Sequence, residues 1–235
     1  MYQFKKTYIK PHMNMMDLIS ENPFLLIMLD HFGLDMAFRE KDISMICKEN
    51  QIGIDTFLLI ANLYNGFFPS DLTRLTKKDA LTIISFLHNS HQFYLNEKIP
   101  EIQNLFDEIT EQEKHREVSI AKQFFSEYKE DIKIHLAYED NIAFPYFYTL
   151  IKQESQEGKR KFSVKEYREH HTDIESKVTD LKKLFINYIF LKKERVLKRK
   201  LLFSLINLES DLNIHTIIEE VILSPLIRRI EKKDE

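Results

Sequence analysis

Histidine and glutamate recur in this chain at one interval. His91, His135 and Glu139 reappear 80 residues on as His171, His215 and Glu219, and Asp131 and Pro145 reappear as Asp211 and Pro225. Each half reads His, then Asp-x3-His-x3-Glu-x5-Pro. A spacing of four places Asp, His and Glu on one stripe of one helix. Polar residues on an inward stripe are costly unless something satisfies them. Four imidazoles and two carboxylates brought together by a pseudo-two-fold axis make a metal site with room for two ions.

The interval also chooses between neighbours. His88 maps onto Arg168 and His170 onto Ser90, whereas His91 maps onto His171. His91 and His171 are therefore the candidate ligands, and His88 and His170 could support them from behind. Asp131 and Asp211, one turn before His135 and His215, could accept the imidazole N–H that faces away from a metal. His12, His31 and His115 have no counterparts and read as structural or surface residues. With no thiolates in the set, imidazole plus carboxylate suits iron, manganese or zinc. If both glutamates bridge, and a solvent-derived oxo or hydroxo bridge joins them, each ion keeps one open position where O2 or NO could bind.

Such a stripe needs long helices, and the composition supplies them. Only four glycines occur in 235 residues, which leaves no material for a phosphate-cradling loop. The pattern predicts four long helices over about 77–108, 113–153, 163–190 and 196–230, with kinks at Pro100, Pro145 and Pro225. Antiparallel neighbours joined by short turns make an all-α, up-down four-helix bundle over 77–235. Residues 1–68 read as a small helical N-terminal domain. In it Asn22-Pro23 opens one helix that Gly33 stops, and further helices cover 42–50 and 54–63.

Charge and cysteine usage exclude other classes. The net charge of −3 gives no footprint for nucleic acid, and the basic run from Lys192 to Lys200 reads as a solvated turn between helices. Cys47 is the only cysteine, so intrachain disulfides and cysteine-ligated clusters are excluded. The apolar run from Phe24 to Leu29 is too short to span a bilayer and lacks the flanks of a signal peptide. The sequence reads as cytoplasmic, with no membrane partner.

The paired H-x3-E-x5-P elements, His135/Glu139/Pro145 and His215/Glu219/Pro225, with one histidine from each intervening helix, resemble the hemerythrin-like di-iron bundle. The order of domains is similar to that of the repair-of-iron-centres family. This resemblance implies two iron ions held by His91, His135, Glu139, His171, His215 and Glu219. It further implies a protein of nitrosative and oxidative stress that binds or reacts with NO or O2. Such a protein supports repair of damaged iron-sulfur proteins, with iron donation as one route. An O2, NO or redox sensor signalling through the N-terminal domain is the alternative, and NO reduction or peroxide consumption is the enzymatic version. Where the family carries an adjacent cysteine pair, this chain has Ala37 and Phe38.

Overall fold

The structure, a computed structural model, describes residues 7–69, 71–112, 116–152, 167, 175–191 and 194–231. Every regular element among them is helical, and the only β pairing is an isolated bridge between Asn14 and Asp42. By compactness the chain divides into two units. One comprises Met1–Ser90, Tyr146–Val164 and Ile217–Glu235; the other comprises His91–Pro145 and Lys165–Thr216.

The first unit opens with the helices Met15–Glu21, Leu25–His31, Ile43–Glu49 and Ile54–Tyr64. The first of these is not among the helices expected from the sequence, although its signal is there. Asn14 caps it, accepting from the Met16 N–H, and Asp42 caps the third helix through the Met45 N–H. Gly33 closes the second helix at φ +68°, a backbone region that costs a side chain strain. These helices pack an aromatic cluster in which Phe32 stacks on Phe57 and meets Phe86 edge-on.

Asp79 ties the loop at Gly53 to the start of the first long helix. It accepts from Thr56 Oγ1 and from the Thr76 N–H and hydroxyl. Burial raises its carboxyl pKa, but those hydrogen bonds outweigh burial and hold it below the ordinary range. A Cβ at Gly53 would lie 2.5 Å from Asp79 Oδ1, so only glycine permits this approach. Cys47 is buried here, and burial pushes its thiol up to about 12.

The first long helix runs through Lys77–Phe93, a π turn at Tyr94–Lys98, and Ile99–Gln112. The second runs through Arg116–Tyr138, a π turn at Glu139–Ala143, and Phe144–Lys152. Glu175–Asn187 is the third. The fourth runs through Arg195–Ile217, a π turn at Ile218–Leu223, and Ser224–Glu231. The basic run is thus helical from Arg195 onward, and not wholly a turn. In the second unit Ile99–Gln112 packs on Arg116–Tyr138, which packs on Glu175–Asn187. Phe106 stacks on Phe125 and meets Phe185 edge-on in the middle of that core.

Where the interior prolines predict kinks, the helices carry π turns. Proline has no N–H to give and its ring crowds the carbonyl four residues back. In each helix the residue before proline reaches one position further: Ile99 N–H to Tyr94 O, Phe144 N–H to Glu139 O, Ser224 N–H to Glu219 O. One extra residue per turn accommodates the ring while the helix continues. Single π turns of this kind cluster at functional sites. Here two of the three accepting carbonyls belong to the candidate ligands Glu139 and Glu219.

Candidate metal centre

His135 and Glu139 end one turn of the second long helix, and His215 and Glu219 do the same on the fourth. His91 comes from the first. His91, Glu139, His215 and Glu219 each offer a ligand atom, and all four atoms lie within 4.8 Å of one another. His91, Glu139 and Glu219 are 0% exposed, and His215 is 2% exposed. This buried group could hold a metal ion.

His91 Nε2 lies 3.4 Å from His215 Nε2 and 3.4 Å from Glu139 Oε2. His135 Nε2 lies 3.5 Å from that same oxygen. These separations exceed the usual 2.7–3.2 Å of a direct N–H···O bond. The two 3.4 Å separations match what two ligand atoms show when each is about 2.1 Å from a shared ion, roughly 3.0–3.4 Å apart, and the His135 separation lies just beyond that range, His135 standing outside the four-atom group. Two fully buried carboxylates also repel each other unless a cation or a proton lies between them. The donor set therefore fits a metal.

The supporting hydrogen bonds set the chemistry of individual candidate ligands. Asp140 Oδ1 lies 2.9 Å from His91 Nδ1, so an ionised Asp140 keeps the ring proton on Nδ1 and leaves Nε2 as a lone pair facing the cluster. Phe144 stacks on the His91 ring, with centroids 5.5 Å apart, and limits its rotation. Tyr167 donates its phenol to Glu139 Oε1 at 3.0 Å, which turns Oε2 toward His91 and His135. Tyr94 donates to Asp211 Oδ2 at 2.7 Å and meets the His215 ring edge-on at 5.8 Å.

The other sequence candidates fall in different places. His88 is exposed and lies outside the group. His171 and His170 lie outside the described residues. Asp211 is buried and accepts from Tyr94, whereas Asp131 is half exposed and pairs with Lys177. Sequence reasoning missed Asp140, Tyr94 and Tyr167. For Asp140 a signal existed: the residue after Glu139 is acidic, and so is Glu220 after Glu219. Tyr94 stands six residues before Pro100, the offset that Glu139 and Glu219 hold to their own prolines. Tyr167 has no such mark, since its counterpart is Leu87.

Among the described residues no helix is long and apolar enough to cross a membrane. Compared with protein-family models and with curated proteins, the chain matches none.

Proposed function

We propose that this chain is a non-heme di-iron protein in which His91, His135, Glu139, His171, His215 and Glu219 hold two irons in an up-down four-helix bundle. It binds or reacts with NO or O2 during nitrosative and oxidative stress and supports the repair of iron-sulfur clusters, with iron donation as one route. The observation that carries this reading is the buried His91/Glu139/His215/Glu219 group, joined to a sequence repeat that supplies the same ligand types from the other two positions.

Such an iron pair, when bound, supplies one-electron redox chemistry and exchangeable positions for a diatomic ligand. The chain's own residues prepare for it. Asp140 makes His91 a better electron-pair donor by holding its N–H. Tyr167 fixes one oxygen of Glu139 and leaves the other for a ligand bond. Burial of both glutamates removes competing water and strengthens their attraction for a cation. A donor set of imidazole and carboxylate without thiolate tolerates iron in both common oxidation states.

Elemental analysis and absorption spectra of anaerobically purified protein, taken before and after NO, test the reading. We expect two irons per chain and a visible band that changes on adding NO. His135→Ala and His215→Ala are each expected to halve the iron content or worse. Protein that holds well under one iron per chain after reconstitution overturns the proposal. An iron-loaded protein that neither responds to NO nor passes iron to an apo cluster protein removes the stress-repair part and leaves the metal site.

A further inference from the structure

A groove of about 750 Å³ lies at the start of the fourth long helix, lined by Phe190, Leu191, Arg195, Lys198, Arg199, Leu202, Phe203 and Ile206. Three of these residues are cations, five are apolar, and none is a carboxylate. Those on the helix are ordered by type, with Phe190 and Leu191 preceding them. Arg195, Lys198 and Arg199 lie at the helix start, and Leu202, Phe203 and Ile206 continue the same face at helical spacing. The charge therefore sits at one end and the apolar surface runs away from it.

Two of the groove's five apolar residues stand largely in solvent, whereas Leu191 is buried. Phe190 is 78% exposed and Phe203 59%, values unusual for side chains that gain by burial. Lys198 donates to the Ile189 carbonyl, which pins the chain beside Phe190. Arg195 and Arg199 are exposed and make no ion pair among the described residues, in a chain whose net charge is −3. The N-terminus of a long helix adds partial positive charge at the same end.

We infer that this groove binds a long-chain carboxylate, its headgroup on Arg195 and Arg199 and its chain along Leu202, Phe203 and Ile206. The stripe from Arg195 to Ile206 spans about 16 Å at 1.5 Å per residue, close to the extended length of a twelve-carbon chain. The volume lies in the range of small-molecule sites, about 300–1,000 Å³. A second copy of the chain is a poor occupant, because pairing the stripe antiparallel across a two-fold axis would lay Arg195 and Arg199 on the apolar end of the partner's stripe, which offers them no carboxylate. An acidic helix is a poorer match too, since its carboxylates would lie along its length and these cations lie at one end only.

Calorimetric titration of the full chain with dodecanoate, below its micelle concentration, tests this. One dodecanoate is expected per chain. Hexanoate should bind at least about 100-fold more weakly, because six fewer methylenes are buried. Dodecyltrimethylammonium, with the same chain and opposite charge, should bind at least tenfold more weakly than dodecanoate. The double variant Arg195→Glu, Arg199→Glu should lose at least tenfold in dodecanoate affinity while keeping its helical circular dichroism, since both positions are exposed. Ile206→Asp should weaken the tail contact independently. Equal binding of the two amphiphiles, or no change on charge reversal, overturns the inference. So does a concentration-dependent dimer that Phe203→Asp abolishes, which would assign the groove to a second copy. Because these residues lie outside the His/Glu group, metal content read in parallel separates failure here from failure of the proposed metal site.

Discussion

Asp131 and Asp211 occupy one position of the repeat, yet they lead different lives. Asp211 is 1% exposed and accepts from the Tyr94 phenol, beside the His215 ring. Asp131 is half exposed and forms an ion pair with Lys177. The difference lies in the partners. Eighty residues on from Tyr94 stands Ile174, which has no hydroxyl to donate, and eighty back from Lys177 stands Glu97, of the opposite charge. Neither partner is repeated. The repeat keeps residue types at fixed positions and lets their neighbours differ. A shared sequence position gives a shared place on a helix, and the opposing side chain decides what that place does.

The largest effect should come from breaking the buried member. Asp211→Ala removes the phenol's 2.7 Å acceptor and opens a gap in a packed interior. A hydrogen bond to a charged group is worth about 1.5–3 kcal/mol, which for a chain of this size lowers the melting temperature by roughly 3–12 °C. Thermal unfolding of metal-free protein checks this without interference from bound ions. Tyr94→Phe should cost a similar amount, and the double variant should cost clearly less than the sum of the two, because the second change removes a group already deprived of its partner. Additive losses would mean that the pair is not the interaction it resembles, and the contrast with Asp131 would fall.

Next in size is Asp140, which sharpens the comparison by placing a carboxylate directly behind the candidate ligand His91. Asp140→Asn keeps shape but weakens the acceptor for the His91 N–H, and the amide can present its own N–H to the ring instead. Metal affinity is expected to fall about 10–100-fold, with helix content unchanged. Competition with a chelator at fixed free metal measures it. Unchanged affinity would show that His91 is held by Phe144 and by the helix alone.

The helices, and the four candidate ligands His91, Glu139, His215 and Glu219 that the structure gathers, were legible in the sequence because both patterns are periodic. Asp-x3-His-x3-Glu needs only the helical repeat, and the shared interval made six residues stand out from scattered histidines. The π turns were not legible in the same way. Proline announces that a helical hydrogen bond is lost, but whether the chain bends or inserts a residue depends on the packing around it. The clue lay in the constant offset of six from Tyr94, Glu139 and Glu219 to Pro100, Pro145 and Pro225. Asp140 escaped because only its charge is repeated, not its residue type. Tyr94 and Tyr167 escaped because hydrogen bonds between helices leave no trace in spacing along one helix.

The smallest effect belongs to the exposed member. Asp131 and Lys177 lie 48% and 46% exposed as side chains, so water competes for both charges and salt screens what remains. Asp131→Asn should change stability by no more than about 0.5 kcal/mol, and a double-mutant cycle with Lys177→Ala should give a coupling of about 0.2–1 kcal/mol that fades in high salt. Metal content should not move. A loss of metal from Asp131→Asn, with folding intact, would mean that this carboxylate turns inward to a histidine in the loaded protein. The asymmetry between the two halves would then depend on what the site holds and not on the fold alone. A small, salt-sensitive coupling with full metal content would instead keep Asp131 on the surface, as a repeated residue whose partner has changed.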